Sequence, residues 1–148
     1  MSAIAGSAQS AAVVSSPRSK GLHIGLWVAQ VVLALVFAMA GVPKVAKSLA
    51  DVSQDVPFLA TLPGALVRFI GVSELVGAVG LTLPALTRVK PVLTAWAGVG
   101  LATVMVLASL FHLSRGEVDK LPVPVVLGGI AAFIAWGRFR TARIPCRR

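Results

Sequence analysis

The stretch RFIGVSELVGAVGL, from Arg68 to Leu81, places one carboxyl group, Glu74, in a largely apolar run that carries no other charge after its first residue. An ionised carboxylate in a hydrocarbon environment is costly unless a cation or a hydrogen-bond donor faces it. Such a group can anchor a bound molecule, accept a proton or fix the register of packed helices. Glu74 is therefore the first candidate for a functional site.

Further polar candidates lie in the neighbouring apolar runs. Gln30 and Lys44 share one side of a helix in the first run, and His112 ends a small and polar stripe in the third. Arg68 lies about 120° from Glu74 around a helix, so a direct pair between them is disfavoured. We expect Lys44 or His112 to be the partner of Glu74. We predict a polar pocket of Glu74, Lys44, His112 and Arg68, with Gln30 as a further candidate, and purely structural roles remain the alternative.

Small residues surround these candidates. Gly71, Gly77 and Ala78 lie on the same helix side as Glu74, and Gly41 lies on the side that carries Lys44. Small residues let the backbones of membrane helices approach closely. We therefore predict that these four positions are helix-packing contacts and that Glu74 points into the bundle.

Several chemistries are excluded by residue counts. Cys146 is the single cysteine and tyrosine is absent, so the chain has no disulfide and no CxxC motif. His23 and His112 are expected at opposite membrane faces, where they cannot share a metal or a haem. The sequence contains no phosphate-binding loop and no nucleophile elbow. No metal site is predicted, and no catalytic residue is assigned.

The elements that must position the polar residues are four long apolar runs. A helix needs about 20 apolar residues to cross a bilayer, and 57% of this chain is hydrophobic. The predicted spans are Ile24–Val42, Ala65–Leu86, Val92–Leu113 and Leu121–Trp136. The sequence therefore predicts an all-α fold, an integral membrane four-helix bundle with an interfacial loop or short helix between the first two spans.

The predicted organisation has three parts: a flexible cytoplasmic tail over residues 1–23, the four-helix domain over 24–139, and a basic cytoplasmic tail over 140–148. Alternatively, the first run could be a secretory signal with its small-residue cleavage site at Ala38-Met39-Ala40.

The net charge of +9 is concentrated on one side of the predicted topology. This side carries nine basic residues and no acid. These basic residues are Arg18, Lys20, Arg88, Lys90, Arg138, Arg140, Arg143, Arg147 and Arg148. Because cytoplasmic loops are enriched in Lys and Arg, both termini are predicted to be cytoplasmic, with anionic lipids rather than nucleic acid as partners of this face.

The segments FAMAGVPK (Phe37 to Lys44), RFIGVSELVGAVGLTLP (Arg68 to Pro84) and HLSRGE (His112 to Glu117) resemble the DoxX and DoxX-like family of small four-helix membrane proteins. The resemblance covers roughly Leu26 to Phe139. It rests on Gly41, Lys44, Gly71, Glu74 and Gly77.

The resemblance implies a multi-pass protein of a bacterial inner membrane. Some relatives are linked to quinone-coupled sulfur oxidation and to oxidative stress. We expect an accessory or binding subunit whose pocket, in the outer half of the bilayer, receives a small apolar or quinone-like molecule or a partner helix. The alternatives are a quinone-linked membrane oxidoreductase component and a small proton-coupled permease, and a homo-oligomer is compatible with each.

Overall fold

The structure is a computed structural model that describes residues 17–141, 144 and 145. The described residues form helices and turns and contain no strand, so the fold is all-α. The α-helices are α1 (Pro17–Ala46), α2 (Leu49–Asp55), α3 (Gly64–Thr87), α4 (Val92–Ser114) and α5 (Pro122–Trp136). Two 3-10 turns, Pro57–Thr61 and Val118–Lys120, and a π-helical turn, Gly137–Thr141, complete the elements.

Four helical stretches are long and apolar enough to cross a membrane. They are Lys20–Ala46, Gly64–Thr87, Val92–Ser114 and Val118–Arg140. Large apolar side chains on their outer faces are exposed, among them Met39 and Phe69, as expected where lipid replaces water. The bundle is thus the one that the apolar runs predict.

The helix ends differ from the predicted boundaries. α1 begins at Pro17, where a proline fits because the first helical N–H has no partner in any case. Residues 17–23, predicted as part of a flexible tail, are therefore helical. Residues 1–16 of that tail, and 142, 143 and 146–148 of the basic tail, lie outside the described residues.

The helices pack in the order α1 on α3, α3 on α4 and α4 on α5. Their buried core contains Leu33, Phe37, Leu81, Leu101 and Ile134, together with smaller side chains. The connections 47–63 and 115–121 lie at one end of the bundle, which we call the Lys44 end. The start of α1, the turn 88–91 and the end of α5 form the opposite end, which we call the Arg138 end.

The segment between α1 and α3 folds over the Lys44 end. Ser48 starts α2, because its hydroxyl oxygen accepts the Asp51 backbone N–H at 3.1 Å. Val52 and Leu59 then pack with Val67 of α3 in a second, smaller core. This core fixes the 3-10 turn Pro57–Thr61 close to the ends of α3 and α4.

Candidate functional site

Lys44 of α1 and Glu74 of α3 form an ion pair inside the bundle. The Lys44 ammonium donates to both carboxylate oxygens of Glu74, each at 2.7 Å. The two side chains are only 12% and 5% exposed, so lipid and water reach little of either charge. The carboxylate in the middle of the apolar run is thus compensated by a cation from another helix.

Two glycines bring these helices close enough for the pair to form. A Cβ atom added at Gly41 would lie 2.9 Å from the carbonyl oxygen of Gly71 and 3.2 Å from the Cβ of Glu74. A Cβ added at Gly71 would lie 2.7 Å from the Cβ of Lys44. The backbones of α1 and α3 therefore touch at the level of the ion pair, where larger residues would separate them.

Arg68 stabilises the end of α1 rather than contacting Glu74. Its guanidinium donates to the Lys44 carbonyl at 2.6 Å and to the Lys47 carbonyl at 2.7 Å. The last carbonyls of a helix have no partner within the helix, and a cation there also opposes the helix dipole. Arg68 thus holds the backbone that carries Lys44.

His112 pairs with Glu117 and not with Glu74. Its Nδ1 lies 2.7 Å from a carboxylate oxygen of Glu117. The pair forms because α4 ends in a Schellman motif: Gly116 adopts a φ of 70°, and the Glu117 N–H donates to the His112 carbonyl at 2.9 Å. This turn brings the Glu117 side chain next to His112. His112 therefore contacts Glu117 rather than Glu74, the partner that was considered for it.

The charges around Glu117 stabilise its ionised form. Hydrogen bonds from His112 and then Arg115 are the largest causes that lower the pKa of the Glu117 carboxyl to about 2, with Lys120 adding to the effect. Arg115 donates from its Nε at 3.0 Å, and the Lys120 ammonium lies 3.6 Å away. Glu117 was not among the predicted site residues. The glycine that precedes it, directly after a helix end, is the sequence signal for its position.

A cavity of about 610 Å³ opens at the Lys44 end beside the ion pair. Three of the five predicted pocket residues, Lys44, Glu74 and His112, line it, and Arg68 and Gln30 do not. Most of the remaining wall is apolar. The apolar part comes from α1, α3, α4, α5 and the 3-10 turn Pro57–Thr61. Its lining side chains include Val36, Phe37, Leu59, Ile70, Met105, Ala108 and Leu127.

Phe58 covers this cavity from the 3-10 turn. Its ring centroid lies 4.9 Å from that of His112, edge to face, and 6.0 Å from that of Phe111. Edge-to-face aromatic contacts of this kind add to the energy of burial. Phe58 was not among the predicted site residues, because only the folded connection brings it onto α4.

Nearer the Arg138 end than the cavity, α3 and α4 pack closely at two glycines of α3. Leu101 fills the space beside Gly77, where an added Cβ would overlap the Leu101 side chain. One turn further on, Ala97 packs against Gly80. Toward the Lys44 end both helices carry larger residues, including Ile70 and Leu107, which line the cavity.

Gln30 belongs to a separate network at the Arg138 end. Its amide donates to the Leu81 carbonyl at 2.6 Å and accepts from Arg138 Nε at 2.6 Å. Arg138 also lies 3.2 Å from His23 Nδ1 and packs over the Trp27 ring. Gln30 therefore does not line the cavity with Lys44 and Glu74, since its partners are at the other end of the bundle.

Arg138 is buried, although it was predicted to be one of the charges of the basic face. The residue is only 5% exposed. Lys20, Arg88, Lys90 and Arg140 are exposed, as predicted. A buried arginine bound to a glutamine is a contact between helices, and it cannot be recognised from a pattern of basic residues.

The described side chains include no group of three or more His, Cys, Asp or Glu residues that could hold a metal ion. The polar groups at the cavity can bind and orient a molecule, since Lys44 donates and Glu74 accepts hydrogen bonds.

The model of the DoxX-like family matches residues 28–134. The chain belongs to this family. The match runs from within the first spanning helix to within the fourth, and with the length and apolar character of these helices it indicates a multi-pass membrane protein. No curated protein and no solved structure gives a significant match to the chain.

Proposed function

We propose that this DoxX-like protein is an accessory or binding subunit that holds a small, largely apolar molecule with a polar head in the cavity at its Lys44 end. The single observation that carries the proposal is the cavity of about 610 Å³ with the buried Lys44–Glu74 pair in its wall. Ligand pockets in proteins commonly measure about 300 to 1,000 Å³ and combine apolar walls with a few polar groups.

The ion pair leaves one binding group available to a ligand. A lysine ammonium has three N–H donors, and Glu74 accepts two hydrogen bonds from Lys44. The third donor can serve a carbonyl or hydroxyl oxygen of a bound molecule. A quinone-like head has such carbonyl oxygens, and the apolar wall suits its hydrocarbon tail.

The redox alternative shares this binding step. A quinone-linked oxidoreductase component would bind the quinone as proposed and obtain electrons from another subunit, since this chain has one cysteine and no tyrosine of its own. No geometry in the described residues favours a catalytic step over binding alone, and the proposal therefore assigns none.

The permease alternative is disfavoured by the core between the two polar networks. Gln30 bonds to the Leu81 carbonyl, seven residues and about 10 Å along α3 from Glu74. The buried residues between these levels, including Phe37, Ala78 and Leu101, are apolar. A proton would find no polar group among them.

We further propose that the Lys44 end faces the outside of a bacterial inner membrane and that the Arg138 end faces the cytoplasm. Four exposed cations in the described part of the Arg138 end support this orientation, because all five acidic residues of the chain lie in α2, in α3 or in the connection after α4. Anionic lipid head groups are the expected partners of the basic face, and a partner helix or a second copy is a further candidate for the cavity side.

Copurification tests the proposed function. The protein is purified in mild detergent, and its bound lipids and quinones are identified by mass spectrometry. Ala108→Phe places a phenyl ring in the cavity, whereas Ala132→Phe places the same side chain on an exposed face of α5, outside the cavity. We expect a molecule that wild type and Ala132→Phe retain and Ala108→Phe loses. Identical bound molecules in all three proteins would refute the proposal.

A further inference from the structure

We propose that the cavity selects uncharged amphiphiles whose head accepts hydrogen bonds, that it rejects anionic amphiphiles, and that Glu74 sets this preference. The inference rests on the proposed binding function and names the class of molecule bound. It follows from the charges in the cavity wall and from the geometry of the ion pair.

The charged residues of the wall balance one another. Lys44 and Lys120 contribute two positive charges, and Glu74 and Asp119 contribute two negative charges. The remaining titratable lining residue, His112, is already paired with Glu117. A charged head group would therefore enter an apolar space whose wall offers no net opposite charge, and it would lose its hydration without compensation.

The cation that an anionic head would seek is already neutralised. Lys44 contacts both oxygens of Glu74 at 2.7 Å, so any carboxylate near the ammonium would also approach the carboxylate of Glu74. Like charges repel strongly where water is scarce. A neutral amide, ketone or alcohol oxygen can accept the third N–H of Lys44 without this repulsion.

The same reasoning predicts a reversal when Glu74 loses its charge. In Glu74→Gln the amide keeps the size of the side chain, and the ammonium of Lys44 remains without its counter-ion. An anionic head can then take the place of the lost carboxylate and pair with Lys44. The preference should change from neutral to anionic ligands.

Photolabelling measures this preference directly. The full-length protein in phosphatidylcholine nanodiscs is exposed to two probes of equal chain length that carry the same diazirine, one a primary amide and the other a carboxylate. The measurement is made at about pH 7, where a free carboxylate is ionised. Labelled peptides from α3 and α4 are quantified, with Ala108→Phe as the background. Asp55→Asn is the matched control, because it removes an exposed carboxylate that pairs with Lys47 outside the cavity.

We expect the amide to label the wild type and Asp55→Asn at least tenfold more than the carboxylate, and Glu74→Gln to be labelled mainly by the carboxylate. Equal or greater labelling of the wild type by the carboxylate would overturn the inference and leave the binding function intact. Labelling by both probes at the Ala108→Phe background would overturn the binding function as well. The comparison of amide and carboxylate labelling in the wild type tests the proposed preference even if Glu74→Gln fails to fold.

Discussion

The substitution Lys44→Met tests how much the bundle depends on the buried ion pair. Methionine keeps the length and the apolar stem of lysine but leaves the Glu74 carboxylate, which is 5% exposed, without its cation. Removing one partner of a buried pair typically costs about 3 to 5 kcal/mol. The carboxylate can escape by binding a proton, and for an ordinary carboxyl at pH 7 this costs about 4 kcal/mol. We therefore expect the free energy of unfolding to fall by about 3 to 4 kcal/mol.

The assay is unfolding in mixed micelles with an increasing share of denaturing detergent, followed by the helical circular dichroism signal. Lys47→Met is the matched control, because Lys47 pairs with Asp55 at 3.1 Å while both side chains are more than half exposed. Such surface pairs contribute about 1 kcal/mol or less. In the double variant Lys44→Met with Glu74→Met, most of the lost stability should return, since no charge remains buried. Equal losses in Lys44→Met and Lys47→Met, or no recovery in the double variant, would refute this account of the pair.

Three further predictions concern the glycines and Glu117. Gly41→Ala should lower the free energy of unfolding by about 1 to 3 kcal/mol in the same assay, because its methyl group would lie 2.9 Å from the Gly71 carbonyl oxygen. Gly25→Ala, with open space around it, should be neutral or stabilising, and equal losses at both sites would contradict the close crossing. Gly116→Ala should lower the free energy of unfolding by about 1 to 2 kcal/mol, because a residue with a Cβ is strained at a φ of 70° although no neighbouring atom is close. An unchanged free energy of unfolding would contradict this strain. Finally, a pKa of about 2 for Glu117 means that its pairing stabilises the fold above the ordinary value of 4.5 and is lost as the pH falls from 4.5 toward 2. Glu117→Gln should flatten the acid limb of a stability profile, and an unchanged profile would contradict this.

The sequence was sufficient to limit the partner of Glu74 to Lys44 or His112, and the structure places Lys44 there. Both residues lie near the same predicted membrane depth, and the glycines beside them mark the faces along which α1 and α3 meet. A buried charge needs a counter-charge, and few candidates existed. The four spans were predictable for a similar reason, since apolar runs of this length have few other stable arrangements.

The partners of His112 and Gln30 could not be predicted in this way. A helical wheel gives the side of the helix on which a residue lies. It does not show that the chain reverses direction at Gly116 or that Arg138 is buried. Glu117 reaches His112 through a local turn, and Gln30 reaches Arg138 through contacts between helices far apart in sequence. Phe58 was missed because its position depends on the small core of the connection between α1 and α3.

The ion pair also bears on how the protein enters the bilayer during synthesis. Lys44 lies in the last turn of α1 and is synthesised thirty residues before Glu74. Its long side chain can therefore extend to the lipid head groups until Glu74 follows. A third helix that inserted alone would bring an uncompensated carboxylate into hydrocarbon, at a cost of about 2.5 to 3.5 kcal/mol on insertion scales. Entry of α1 and α3 together, as a helical hairpin already joined across the Gly41–Gly71 contact, avoids that barrier.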